Sequence, residues 1–311
     1  MTTQESQTAT PVIVQFFHPG RECFVGSNSV NASVSIPWVG GSCGARNRKD
    51  DVKRRSSHSR RLVLHQGDYV TAQGRILCAD LVFWTEWEAR TTAIPLKPSG
   101  PHSAQWMHTV VSPLSPGRIG ESNTDPCVFG SSFKYCCCQQ TREGTMRRLP
   151  PGSMILFGSC LNHRFALDTV FVVEGAGVPY DAEDSKQIEG LGTSPEYRAL
   201  ALDRLKSGRM TFYRGRTPAQ AASGRPYSFS PAKIFDERDP KCGERFLLDA
   251  PAVNRQLPSR SKTFAPILGQ TQGKKVVPAS VATVSAVWKE IVRQVRAAGF
   301  VLGVRFDWPA T

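Results

Sequence analysis

The alternation of apolar and polar positions predicts a series of β-strands through the first two thirds of the chain. Runs such as RLVLH at 61–65 and LVFWTEWEA at 81–89 place alternate side chains on opposite faces of a strand. Glycine and proline bound most of these runs, as they commonly bound strands. The same pattern predicts strands or strand-and-turn segments at PVIVQFFHPG (11–20), DYVTAQGRIL (68–77), CVFGSSFKYCCC (127–138), SMILFGSC (153–160), FALDTVFVVEG (165–175), MTFYRG (210–215), PYSFSPAKIF (226–235) and FVLGVRFDW (300–308).

Two helices are predicted in the last third of the chain. Ser194 is a good N-cap because Pro195 follows it at the first helical position, and the helix is expected to end near Gly208. Apolar residues then recur at helical spacing after Ser280, up to a stop at Gly299. The sequence therefore predicts an α+β fold, with a mixed or largely antiparallel β core and two or three packed helices.

The chain of 311 residues is long enough for one elaborated domain or two small ones. We expect a disordered leader at 1–10, a β-rich core domain at 11–190, and an α+β part at 191–311 that packs on this core. Within the core domain, 45–61 is a basic loop. The segment 91–126 is rich in proline, serine and glycine, which predicts an irregular excursion.

The charge balance favours anionic partners. Lysine and arginine number 39 against 26 aspartates and glutamates, which gives a net charge of +13. Such a charge suits nucleic acid, although a general bias toward arginine would produce it too. No run approaches the ~18 apolar residues of a membrane span, so we expect no membrane partner. The polar N-terminus does not resemble a secretory signal, and a cytoplasmic location is expected.

The nine cysteines do not form a recognisable ligand or disulfide pattern. Their number is odd, and three of them are consecutive at 136–138. A zinc site would need paired spacings, which this chain lacks. We therefore expect small apolar residues of a buried strand in a reducing compartment, with no metal and no other cofactor.

The most specific candidate site is the face of a predicted strand that carries Trp84, Glu86 and Glu88. A tryptophan can stack on a nucleobase while a glutamate accepts hydrogen bonds from its amino group. Trp87 lies on the opposite face, and Asp125 belongs to an Asn-Thr-Asp-Pro turn near other aromatic residues. These five residues are the predicted base-binding set. The alternative is that the glutamates pair with arginines elsewhere in the chain.

Basic residues supply the candidate phosphate contacts. A mobile basic loop can neutralise phosphates without reading sequence, although such a loop can also serve solubility alone. The candidates in this loop are Arg46, Arg48, Lys49, Lys53, Arg54, Arg55, Arg60 and Arg61. Arg214, in the FYRG segment at 212–215, is a further candidate.

A local resemblance adds to this interpretation. LPPGSMILFGSC and FALDTVFVVEG, in which a Pro-Gly turn opens an apolar strand and a second strand follows, resemble the sheet segment of PUA-like barrels of the ASCH, EVE and YTH types. The likeness covers about thirty of the 311 residues. It implies a PUA-like barrel that binds RNA or a modified base in an aromatic pocket. Trp84, Trp87 and the NTDP turn at 123–126 would then be the places to seek that pocket.

An enzyme is the main alternative. FYRG and PYSFSPAK are similar to the arginine and serine elements of NAD-using ADP-ribosyltransferases, through Arg214 and Ser228. In that family a Glu-x-Glu follows on a later strand, whereas Glu86 and Glu88 precede both elements here. If the protein is an enzyme, these two glutamates are the expected catalytic residues. We favour a non-enzymatic nucleic-acid-binding module, and an interaction protein that docks an acidic partner is the third possibility.

Overall fold

The structure is a computed structural model that describes residues 10–21, 34–37, 57–87, 89–96, 104, 106–114, 124–138, 140, 144–161, 164–203, 208–222, 224–258 and 273–309. These residues form three β-sheets and four α-helices. The strands are β1 Val12–Arg21, β2 Val34–Pro37, β3 Ser57–Val70, β4 Ile76–Glu86, β5 Thr91–Pro95, β6 Trp106–Val110, β7 Lys134–Tyr135, β8 Met154–Leu161, β9 Arg164–Val172, β10 Val178–Asp181, β11 Arg209–Arg214, β12 Ser230–Ile234, β13 Gly273–Pro278 and β14 Val301–Phe306. The helices are α1 Ser185–Gly190, α2 Pro195–Tyr197, α3 Ala250–Asn254 and α4 Val281–Ala297. The predicted α+β class, with a mixed β core, is confirmed.

The three sheets are built from strands far apart in sequence. The first has the order β13-β1-β8-β9, in which only the β1–β8 pair is parallel. The second is β10-β11-β7, and the third is β14-β12-β4-β3-β6-β5 with β2 added on β3. In the third sheet β14 pairs with both β12 and β3. Strands from before and after residue 190 thus pair with one another in every sheet.

Helix α4 forms as its apolar spacing predicts. Ser280 caps it by accepting a hydrogen bond from the Thr283 amide at 3.1 Å, and Gly299 follows its end with a φ of +79°. Val287, Ile291 and other apolar residues at helical spacing are buried in the core shared with the first sheet. Burial of this stripe fixes the helix on the sheet.

The predicted helix at 195 begins where expected and then widens. Ser194 accepts a hydrogen bond from the Tyr197 amide at 3.3 Å, and Pro195 occupies the first turn. Residues Arg198–Leu202 continue as a π-helix, which the sequence pattern does not reveal. The short turns α1 and α3 are not predicted either, although Asp184 and Asp249 cap them.

Three local predictions are wrong. Residues 68–77 are not one strand, because a turn at Thr71–Arg75 with Gly74 at a φ of +79° joins β3 to β4. The excursion at 91–126 contains β5 and β6, which pair antiparallel and so satisfy each other's backbone groups. The basic loop predicted at 45–61 does not reach residue 61, because its last five residues belong to β3.

Candidate functional site

The face of β4 that carries Trp84 and Glu86, two residues of the predicted base-binding set, is buried within the protein. Each residue is 4% exposed. Arg60 lies directly opposite Glu86 in the β3–β4 register, and such neighbours share a face. The Arg245 guanidinium lies over the Trp84 ring, 4.4 Å from its centroid. The chain itself therefore supplies the cations that this ring and carboxylate attract.

Asp168 on β9 joins the two arginines. Its Oδ1 lies 2.7 Å from Nη2 of Arg245, and its other oxygen pairs with Nη1 of Arg60. We call Arg60, Trp84, Glu86, Asp168 and Arg245 the Asp168 cluster. Its two guanidinium groups and two carboxylates balance in charge, and all five residues are at most 9% exposed. This balance allows charged groups to be buried between two sheets, which indicates a structural role.

Arg61 does not lie in an exposed basic loop, contrary to the prediction. It is buried, and its Nη1 donates to the Ala89 carbonyl at 2.6 Å and to Thr91 Oγ1 at 3.1 Å. These bonds tie β3 to the start of β5, so they hold the third sheet together. The other predicted phosphate contacts of this segment lie outside the described residues, and so does Glu88. They are Arg46, Arg48, Lys49, Lys53, Arg54 and Arg55.

Trp87 faces the core, opposite to Trp84, as the alternation predicts. It is fully buried, and its ring meets that of Phe129 edge to face at 4.9 Å between centroids. Phe129 follows the NTDP turn in sequence. Trp87 thus supports the segment that carries Asp125 and leaves no ring face for a ligand.

Asp125 organises the loop that follows β7. Its carboxylate accepts hydrogen bonds from the backbone amides of Cys136, Cys137 and Cys138, at 3.3, 2.9 and 2.8 Å. It is 1% exposed and begins a segment with a cis peptide bond before Pro126. A carboxylate with three amide donors has its hydrogen-bonding capacity largely used inside the protein. The turn is therefore a buried anchor for the triple-cysteine segment.

The same loop contains the one group of possible metal ligands found among the described residues. One ligand atom each from Asp125, Cys137 and Cys138 lies within 4.8 Å of the others. Hydrogen bonding with the neighbouring cysteines, together with burial, raises the pKa of the Cys137 thiol well above its ordinary value. At neutral pH this thiol is protonated and donates to Asp125 at 3.1 Å. These hydrogen bonds join the triple-cysteine segment to Asp125.

Lys134, in β7 just before the loop that Asp125 anchors, is a buried cation. It is 4% exposed, and its ammonium donates to the carbonyls of Phe129 and Ser132 at 3.0 and 2.9 Å. The ammonium also lies 5.4 Å from the centre of the Tyr197 ring. Burial is the main cause that lowers the pKa of Lys134, and the charge of Arg214 adds to it. Two carbonyls and a ring only partly offset the cost of burying this charge.

Arg214 of β11 lies directly opposite Lys134 of β7. Partners in an antiparallel register share a face, and like charges at such positions repel each other. Among the described residues, no carboxylate forms an ion pair with either side chain. Cys127 gives no negative charge, because burial raises the pKa of its thiol to about 11. Within the described residues these two cations thus have no carboxylate partner, although Arg214 Nη2 donates a hydrogen bond to the Leu191 carbonyl at 2.8 Å.

Gly130 and Trp308 complete the surroundings of Lys134. Gly130 has a φ of +90°, and a Cβ atom there would lie 2.8 Å from Trp308 Nε1 and 3.1 Å from Lys134 Nζ. Trp308 is half-buried and lies 5.6 Å from the Phe129 ring. We call Gly130, Lys134, Arg214 and Trp308 the Lys134 site. In it, Lys134 Nζ and Trp308 Nε1 pack closely against Gly130, and Arg214 lies opposite Lys134 in the sheet register.

Of the predicted site residues, only Arg214 belongs to the Lys134 site. Gly130, Lys134 and Trp308 were not predicted from the sequence. A signal was present, because Lys134 is the only charged residue in the otherwise apolar and small run CVFGSSFKYCCC. Lysine is rarely buried without a partner, so a lysine in a predicted core strand indicates a special environment.

Comparisons of the chain with protein-family models, curated proteins and solved structures found no match in any of the three. The PUA-like resemblance therefore stays a prediction. In the described part of the chain, none of the helices has the length and apolar character required to cross a bilayer.

Proposed function

We propose that the protein binds nucleic acid and that Lys134 and Arg214 contact its phosphates. The observation that carries this proposal is the pair of directly opposed cations without a carboxylate partner among the described residues. A bound phosphate would supply the missing negative charge and accept charge-assisted hydrogen bonds from both side chains. The repulsion between the two cations would then become a favourable interaction with the ligand.

The overall charge favours nucleic acid over a small anion as the ligand. A net charge of +13 attracts a polyanion over a long range and speeds its association. The seven cysteines in the described part are all free thiols, which supports a reducing cytoplasm as the location. Base reading by Trp84 and Glu86 is not part of this proposal, because both are buried against arginines of the same chain.

An enzyme of the ADP-ribosyltransferase type receives less support from the geometry. The Ser228 hydroxyl accepts a hydrogen bond from the Val172 amide at 2.9 Å, so it already serves the backbone. Glu86 belongs to the third sheet, whereas Arg214 belongs to the second. A non-enzymatic binding module therefore remains the better proposal.

The experiment that tests the proposal is a binding titration of the purified protein. Fluorescence anisotropy would follow labelled single- and double-stranded DNA and RNA at a low and a high salt concentration. We expect binding whose affinity falls steeply with salt, because each neutralised phosphate of a duplex contributes a slope of about −0.9 in log K against log salt. Absence of binding to all four ligands at low salt would refute the proposal.

A further inference from the structure

Resting on the proposed function, which makes nucleic acid the ligand, we infer that the outer face of helix α4 is a second contact surface, which binds the sugar–phosphate backbone of a duplex. Lys289, Arg293 and Arg296 are exposed and lie four and three residues apart, so they form one row along the helix. Arg75 is exposed in the turn that joins β3 to β4, and Arg296 contacts this turn. We call these four residues the α4 basic face.

The α4 basic face carries more positive charge than the chain neutralises. Glu290 is the only acidic residue of α4, and its two carboxylate oxygens accept hydrogen bonds from Arg293 at 2.7 and 2.8 Å. In the part of the chain that the structure describes, no carboxylate lies within ion-pair distance of Arg75, Lys289 or Arg296. Four cations against one carboxylate leave a net charge of +3 on this surface.

Two further charges beside the helix cancel each other. Hydrogen bonding from Arg293 is the main cause that lowers the pKa of Glu290 to about 2, and the positive charge of Arg255 adds to it. Hydrogen bonding to Glu290 is likewise the main cause that raises the pKa of Arg293, and the negative charge of Asp249 adds to it. Arg255 and Asp249 contribute one charge of each sign, so the net charge of the surface stays at +3.

The chain holds both arginines of the row in place. Arg296 Nη2 donates to the Thr71 carbonyl at 2.9 Å, and Glu290 holds Arg293. A guanidinium has five N–H donors, so Arg296 keeps donors for a ligand after this bond is made. Side chains that are already ordered lose less entropy when they bind. The row is therefore prepared to contact a phosphate backbone.

The length of the row suits the regular spacing of phosphates in a duplex. An α-helix rises 1.5 Å per residue, which places Lys289 and Arg296 about 10 Å apart along its axis. One strand of a duplex carries a phosphate for about every 3.4 Å of its axis, so about three phosphate steps cover the same length. Each of the three cations can thus meet a different phosphate of one strand.

A nucleic acid fits this face better than a membrane does. Amphipathic helices that bind membranes insert their apolar face into the lipid. The apolar side of α4, which includes Val287, Ile291 and Val295, is buried in the core shared with the first sheet. This side is not available to lipid, so the helix offers a ligand its row of charges. Charged contacts of this kind neutralise phosphates without reading sequence.

The test is an anisotropy titration of two DNA duplexes, one rich in A·T and one rich in G·C, at several salt concentrations. The double variant Lys289→Gln with Arg296→Gln removes two charges from the row. We expect its affinity for both duplexes to fall at least tenfold and its salt slope to become shallower by about two. Lys186→Gln with Arg238→Gln is the matched control, because it removes the same charges from exposed residues that have acidic neighbours in sequence. Its affinity and slope should change much less.

The outcomes separate this inference from the proposed function. Equal affinities and slopes for the two double variants, with salt-sensitive binding by the original protein, would overturn the inference and leave nucleic-acid binding in place. Binding of single strands but not of duplexes by the original protein would do the same. A loss on only one duplex would also overturn the inference, because backbone contacts carry no sequence information. No binding of any nucleic acid at low salt would refute both proposals.

Two further measurements accompany the titration. Circular dichroism of each variant would show that the fold is retained, so that lost affinity reports on the α4 basic face. Phosphatidylserine vesicles replace DNA in a parallel titration. If the loss caused by Lys289→Gln with Arg296→Gln appeared on the vesicles and not on the duplexes, the face would be a membrane contact and the inference would be wrong.

Discussion

Asp168→Asn is expected to lower the free energy of unfolding by about 3 to 5 kcal/mol, the cost of removing one partner from a buried ion pair. Asp168 is 3% exposed and pairs with both Arg60 and Arg245. An asparagine retains one acceptor oxygen but no negative charge, so both guanidinium groups lose their ion pair with residue 168. Equilibrium denaturation in urea, followed by circular dichroism, would measure the change.

The control is Asp203→Asn, which makes the same chemical change at an exposed residue. We expect its free energy of unfolding to lie within about 0.5 kcal/mol of the original, as for most surface substitutions. A double-mutant cycle with Arg60→Met tests the pair itself, because removing both partners should cost less than the sum of the single changes. Equal stability of the two asparagine variants would show that the Asp168 cluster contributes nothing to stability.

Asp125→Asn has the second largest expected effect. The substitution removes the charge and one of the two acceptor oxygens that serve the amides of Cys136, Cys137 and Cys138. Unsatisfied buried donors and lost charge-assisted bonds should together cost about 3 kcal/mol of unfolding free energy. Because the same loop follows β7, binding of nucleic acid at Lys134 should weaken as well. Urea denaturation and the anisotropy titration would measure the two effects.

The hydrogen-bonded account of this loop also predicts that a chelator changes nothing. Treatment of the original protein with excess EDTA should leave its urea midpoint unaltered, because amide and thiol donors satisfy the Asp125 carboxylate. A lower midpoint after EDTA, restored by added zinc, would instead identify Asp125, Cys137 and Cys138 as metal ligands. The Asp203→Asn variant, treated with EDTA in the same way, serves as the control for stability.

Local patterns predicted the elements whose signals lie within a few residues of each other. Helix α4 combines a serine cap with an apolar stripe, and both follow from the sequence alone. The π-helical continuation at Arg198–Leu202 could not be predicted, because it depends on how Tyr197 and its neighbours pack in the core. Strands β5 and β6 were missed because their flanking proline and serine residues dominate the composition of the segment.

The Asp168 cluster and the Lys134 site could not be predicted in full, because each depends on contacts between segments far apart in sequence. Arginine partners were the alternative for the glutamates of the Trp84 face, but Arg245 lies some 160 residues after Trp84, and only the fold brings it to the ring. Similarly, Lys134 and Arg214 become neighbours through the pairing of β7 with β11. The sequence shows which residues are unusual in their surroundings, and the sheet register decides which of them meet.

The measurement that tests the central claim most directly is the salt dependence of duplex DNA binding by the original protein, Arg214→Gln and Arg209→Gln. Arg209 is an exposed residue at the other end of the same strand, so its substitution makes the matched change in charge. If Arg214 contacts a phosphate, its loss should weaken binding about tenfold on every sequence and make the salt slope shallower by about one, whereas Arg209→Gln should change both much less. Equal affinities and equal slopes for the two variants would contradict the assignment of the Lys134 site as the place where phosphate binds.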